Sequence, residues 1–114
     1  MPYIQARFSK SLDETQKNEI QTKLTKLVSA GLSKPETYIM TEIADGCDLY
    51  IASSKVENGA YISVKLLGTT NKGACSPLTQ NICNTLSADL GLDSSKIYIT
   101  YHPVDLWGWN GMMF

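Results

Sequence analysis

Taken as apolar and polar positions, the chain alternates between short runs of strand character and two longer stretches of helical character. Five of the six tyrosines directly precede an isoleucine, at Tyr3-Ile4, Tyr38-Ile39, Tyr50-Ile51, Tyr61-Ile62 and Tyr98-Ile99. Aromatic and β-branched residues suit a pleated, half-buried surface. The runs holding these pairs, PYIQARF, TYIMTEI, LYIAS, AYISVKLL and KIYITYH, therefore predict five strands. Between the first two, Ile20, Leu24, Leu27 and Val28 recur at helical spacing. That helix is expected to begin at SLDE, with Ser11 and Glu14 as a capping box, and to end at Gly31. Leu78, Ile82, Leu86 and Leu90 mark the stripe of a second helix. It is expected to open with Ser76 as N-cap and Pro77 in the first helical position, and to close at Gly91.

The two halves repeat one another. Gly31-Leu32 and Gly91-Leu92 stand at the same distance before a Tyr-Ile pair, so strand–helix–strand occurs twice. A crossover of this kind makes its two strands parallel, in a right-handed sense. The prediction is an α/β (α+β) fold: two βαβ units forming a four-stranded sheet with two helices on one face, in a single domain spanning residues 1–114. Gly46, between Asp45 and Asp48, predicts a turn into a short extra strand at Tyr50. Tyr61, Ile62, Val64, Leu66 and Leu67 are apolar on both parities of their strand. Such a strand is expected to be buried on both faces. Two helices cover one face only, so a second subunit is expected on the other, in a symmetric oligomer.

Composition removes several function classes. A net charge of −1 gives no basic footprint for nucleic acid. The first ten residues contain Arg7 and Lys10 and no apolar h-region, and no run reaches the roughly 20 apolar residues of a membrane span. The expectation is a cytoplasmic protein. Cys47, Cys75 and Cys83 are odd in number and widely spaced, with a single histidine, His102. They predict buried or half-buried thiols, with no metal site and no disulfide scaffold.

Candidate chemistry gathers at the chain ends. Pro2 follows Met1, and removal of the methionine would leave a secondary amine on a rigid ring. Pro2 can equally be a strand-opening residue that needs no donor. The tail LWGWNGMMF is too apolar to be left in water. It is expected as a terminal strand docked on a neighbouring subunit, as the apolar wall of a pocket, or as both.

The MP start, the helix followed by SKPETYIM, and the segments SVKLLG, KIYITY and WGWNG occur in one order along nearly the whole chain. In these the sequence resembles the macrophage migration inhibitory factor family of the tautomerase superfamily. The resemblance implies the fold already predicted, assembled as a homotrimer whose sheets face inward. It implies Pro2, freed of Met1, as the catalytic base, with no cofactor and no metal. Lys34 of SKPETY would hold a substrate carboxylate and lower the amine's pKa; a loop lysine can also be simply solvated. Leu67 corresponds to a position commonly isoleucine in the family, offering backbone hydrogen bonds to substrate, or it is a core leucine. Tyr98 and Thr100 would reach the pocket of an adjacent subunit; many members carry asparagine at the place of Thr100. Tyr3, Tyr38, Trp107, Trp109 and Phe114 match pocket-lining positions, where plain packing is the competing role. Better-known animal members carry a CxxC where this chain reads Gly59-Ala60-Tyr61-Ile62, so a dithiol oxidoreductase activity has no residues here. HPVDLWGWN is also shorter than in those members.

These readings lead to a cofactor-independent keto–enol tautomerase acting on small enolisable 2-oxo acids of the phenylpyruvate type. The alternative is a cytokine-like signalling or binding protein with a vestigial pocket and an unidentified receptor. The resemblance allows such a protein to be released without a signal peptide. A purely structural trimer is the third reading.

Overall fold

A computed structural model describes residues 1–114. Strand β1 (Pro2–Phe8) opens the chain, and its apolar residues sort by parity. Pro2, Ile4, Ala6 and Phe8 are buried, whereas Tyr3, Gln5 and Arg7 point to the other side. Helix α1 (Glu14–Leu32) buries Ile20, Leu24, Val28 and Leu32, a four-residue repeat along one face. Strand β2 (Met40–Ala44) then pairs parallel to β1, completing the first βαβ unit. Strand β5 (Ala60–Leu67), helix α2 (Lys72–Leu90) and strand β6 (Ile97–Val104) repeat it. Because β1 and β5 run antiparallel, the units join edge to edge in the order β2-β1-β5-β6. Both helices lie on one face, over a core that includes Ile62, Val64, Leu66, Leu78, Ile82 and Leu86. Full burial of each such side chain stabilises by roughly 1.5–3 kcal/mol.

Several local expectations are corrected. The first capping box is formed by Asp13 and Gln16, two positions after Ser11 and Glu14. The Asp13 carboxylate accepts from the Gln16 amide at 2.8 Å, and the Gln16 side chain accepts from the Asp13 amide at 3.0 Å. Gly31 is helical rather than a cap, and Ser33 takes the left-handed cap conformation, with φ 55°. What Gly31 provides is room: a Cβ there would stand 3.0 Å from Leu78 Cδ1. The second helix starts a turn earlier than Ser76, because the Asn71 side chain accepts from the Ala74 amide at 2.9 Å. Pro77 therefore sits inside α2. It faces solvent, as does Gly73, so water can take the carbonyl left without a donor. Gly91 does close the helix, with φ 67°. The second Tyr-Ile run is divided: Glu36–Tyr38 form a 3₁₀ turn, and the strand begins only at Met40.

The sheet face away from the helices is also more polar than expected. Ile62, Val64 and Leu66 share one parity and face the helices; only Tyr61 and Leu67 supply apolar surface on the other side of β5, beside Ser63 and Lys65. On that face Tyr3 donates to Glu42 at 2.8 Å, and Thr100 Oγ1 lies 2.8 Å from the Tyr61 hydroxyl and 2.7 Å from His102 Nε2. Gly46, with φ 60°, turns the chain toward a small hairpin, β3 (Tyr50–Ile51) with β4 (Ser54–Lys55). The tail is a second hairpin, β7 (Gly108–Trp109) with β8 (Met112–Met113), rather than one terminal strand. Its turn, Asn110-Gly111, has φ of 51° and 75°, the two left-handed residues a tight hairpin needs. No helix is long and apolar enough to cross a membrane. The three cysteines are free and half-buried.

Candidate functional site

The start of β1 is fully buried at Pro2. A proline is tolerated there because β2 pairs with β1 only from Tyr3 onward, so one side of the ladder lacks no donor. Above Pro2 opens a cleft of about 850 Å³. Met1, Pro2 and Tyr3 form its floor, and the segment from Thr37 to Met40 forms one wall. Trp107, Gly108 and Trp109 form the opposite wall, and Lys65 enters from β5.

The aromatic wall is a packed unit. Trp109 meets Tyr38 edge-on, with ring centroids 5.7 Å apart and an interplanar angle of 84°. Phe114 lies against the other side of Trp109, at 5.9 Å. Aromatic pairs of this geometry contribute about 0.5–1.5 kcal/mol beyond their buried area. The Phe114 amide donates to the Trp107 carbonyl at 3.0 Å and ties the tail end back into the hairpin.

Lys34 stands just behind the floor. The Lys34 amide donates to the Ser29 carbonyl at 3.0 Å, and the Ser29 hydroxyl donates to the Lys34 carbonyl, so the helix end holds the residue. Its half-buried side chain reaches across to β5, where the ammonium donates to the Leu67 carbonyl at 3.2 Å. The Leu67 amide in turn donates to the Met1 carbonyl at 3.3 Å. Burial, and secondarily the Lys34 charge, hold the Met1 terminal amine below its ordinary pKa. Both effects disfavour the protonated form.

Strand, helix and loop order thus bring Pro2, Tyr3, Lys34, Tyr38, Leu67, Trp107, Trp109 and Phe114 to one end of the sheet. A model of the macrophage migration inhibitory factor family matches residues 1–114. The chain belongs to that family. Solved structures agree with the assignment. Leishmania major MIF2 is 26% identical, with a TM-score of 0.90 over 100% of this chain and 97% of that one. The macrophage migration inhibitory factor homologue from Prochlorococcus marinus is also 26% identical, with a TM-score of 0.85 and 98% of each chain covered. The macrophage migration inhibitory factor-like protein from Entamoeba histolytica, 23% identical, shares the fold, with a TM-score of 0.88 over 99% of this chain and 98% of that one. No curated protein sequence matches the chain. Membership supports a tautomerase-type or migration-inhibitory-factor-like role.

Among the candidates, Lys34, Leu67 and Phe114 stand beside the cleft without lining it, and two others, Tyr98 and Thr100, lie away from it. Tyr98 pairs with Tyr61 and Thr100 with Ser63, whereas Pro2 pairs with Leu66. Tyr61 and Leu66 are five positions apart, so Tyr98 is offset from Pro2 by about 17 Å along the strand direction. Tyr98 is exposed, and Thr100 is engaged by Tyr61 and His102. Thr37, Ile39, Met40, Gly108 and Lys65 line the cleft without having been singled out in the sequence. For Lys65 the available signal was strand parity, since it stands two residues before Leu67.

Proposed function

We propose that the mature protein, with Met1 removed, is a cofactor-independent keto–enol tautomerase of small 2-oxo acids, with Pro2 nitrogen as its base. One observation carries this reading: the chain's buried first strand residue lies at the floor of an aromatic cleft, beside the Met1 amine, whose pKa burial and Lys34 depress. While Met1 is attached, Pro2 nitrogen is an amide and has no basic lone pair. Removal makes it a secondary amine on a ring that allows little movement.

In the reaction, the neutral amine takes a proton from the carbon beside the ketone. The C–H electron pair becomes the C=C bond of the enolate, and the carbonyl π pair moves to oxygen. Return of the proton to that oxygen gives the enol, and the reverse order restores the ketone. A base titrating near neutrality suits this transfer. Departure of Met1 also frees the Leu67 amide from the Met1 carbonyl it now bonds. That amide and the Lys34 ammonium bind the substrate carboxylate, and the cation stabilises charge developing on the enolate. Tyr38, Trp107 and Trp109 receive an aryl group, which makes phenylpyruvate the natural test substrate.

Tyr98 and Thr100 belong to the site only in an assembly. In a homotrimer with inward-facing sheets, each chain offers them to its neighbour, Thr100 through its hydroxyl. The protein is then a cytoplasmic enzyme requiring its own copies and a small 2-oxo acid, with no metal.

The test joins intact mass with kinetics. The native protein should lack the mass of one methionine and should interconvert enol and keto phenylpyruvate. Pro2→Gly should lower kcat by roughly 10²–10⁴-fold, the scale of one general base. A cellular form that retains methionine excludes the mechanism. Unchanged turnover in Pro2→Gly excludes the base.

A further inference from the structure

Lys65 is the one ionised side chain among the residues lining the cleft; the others are apolar, aromatic, glycine or threonine. No acidic side chain shares the lining. Lys65 stands opposite Tyr3 in the β1–β5 register, one position from the Pro2–Leu66 pair. Its exposed ammonium lies 6.0 Å from the centroid of the Tyr3 ring, which holds it over the floor. It forms no salt bridge with any carboxylate of the chain. Glu42, the acidic residue bonded to Tyr3, accepts from that hydroxyl at 2.8 Å. The cleft therefore presents a cation free of any carboxylate of the chain, two residues along the strand from the Leu67 carbonyl that holds the Lys34 ammonium, in otherwise mostly apolar lining where an anion would lack another partner.

We infer that Lys65 is a specificity-determining anion-binding residue, and that the preferred substrate carries a second acidic group at the end remote from its 2-oxo acid. This rests on the proposed tautomerase reading for the placement of the first carboxylate at Lys34. The substrate class becomes the 2-oxo acids with a distal carboxylate, bound by two cations across one apolar cleft. An aryl or extended chain between the two acid groups occupies the Tyr38 and Trp109 wall.

Phenylpyruvate and its para-carboxy derivative differ by one carboxylate and serve as the probes. They are compared on the Met1-free native protein and on Lys65→Gln and Lys65→Glu, at low ionic strength. Two ratios are read: kcat/KM, and dissociation constants from quenching of Trp107 and Trp109 fluorescence. The wild type should favour the carboxylated compound by about fivefold, the scale of a solvent-exposed ion pair, and added salt should shrink the preference. The ratio should fall to about one in Lys65→Gln and below one in Lys65→Glu. A wild-type preference absent from both ratios, or one that ignores the charge at position 65, overturns the inference. If both compounds are tautomerised with such a charge-blind ratio, the reaction stands and the inference falls. If neither is tautomerised but binding follows the charge, the reaction falls and the anion subsite stands. Binding of neither compound overturns both.

Discussion

Replacing Lys34 with alanine separates the two roles that the structure allows this residue. The side chain is half-buried, anchored by Ser29 at its backbone and by the Leu67 carbonyl at 3.2 Å from its ammonium. A charge-assisted hydrogen bond to a carboxylate is worth roughly 1.5–3 kcal/mol, so losing it should lower kcat/KM for phenylpyruvate by about 10- to 150-fold. The second effect is on protonation. Lys34 is the smaller of the two causes that depress the Met1 amine's pKa, burial being the larger, and the same cation acts on the Pro2 amine that Met1 removal exposes. Removing the cation should raise that pKa part of the way back. A lower fraction of neutral base then remains at a given pH, and the acidic limb of the pH–rate profile moves to higher pH. The assay is initial-rate tautomerisation across the neutral range, with Lys34→Gln as the variant that keeps bulk and hydrogen bonding without charge. Lys34→Gln should move the limb as Lys34→Ala does while retaining more affinity. A profile and a KM both unchanged in Lys34→Ala would refute the reasoning and leave Lys34 a solvated loop cation.

Gly31→Ala should destabilise the fold even though alanine is the better helix former by about 1 kcal/mol. The new methyl would meet Leu78 at 3.0–3.1 Å, and Leu78 is 2% exposed within the core; overpacking of roughly 1–3 kcal/mol should win, and a higher urea midpoint would contradict it. Ile62→Ala should cost about 2–5 kcal/mol in the same measurement, because Ile62 is 0% exposed beneath both helices. Asp45 accepts from the Leu12 amide at 2.8 Å and faces Lys17 at 3.3 Å, and these hold its carboxyl pKa below the ordinary value. Its stabilising contribution is present above the unfolded-state pKa and is lost as pH falls through the folded-state value. Asp45→Asn should therefore be less stable than wild type at neutral pH, with the difference closing in acid; a difference independent of pH would contradict the assignment.

Legibility in the sequence followed the range of the interactions involved. The stripe Ile20, Leu24, Val28 is set by a local period, and it appears as the buried face of α1. The same holds for Leu78, Ile82, Leu86 and Leu90 in α2, and for the repeated strand–helix–strand order. Helix starts were less legible, because SLDETQ offers two overlapping capping boxes and backbone hydrogen bonding selects Asp13 with Gln16 over Ser11 with Glu14. Pro77 has the local chemistry of a first helical residue, yet Asn71 starts the helix earlier and leaves the proline on an exposed side where its missing donor costs little.

The site divides in the same way. Pro2, Lys34, Leu67, Tyr98 and the tail aromatics stood out because their motifs occur in family order. Lys65 did not, because its approach to the cleft depends on the antiparallel β1–β5 register that puts it opposite Tyr3. Tyr98 and Thr100 were legible as residues, and only the tertiary structure shows them displaced from Pro2 along the strands of one chain, by about 17 Å and about 10 Å. By itself the sequence determined the elements, their order and the chemical groups available, since periodicity, turn residues and short motifs act over a few neighbouring positions. The tertiary structure alone decided which parity of β5 faces the helices, that Gly31 is a contact rather than a cap, and which cation enters the cleft. Those outcomes depend on pairing and packing between residues far apart in the chain, which no local pattern encodes.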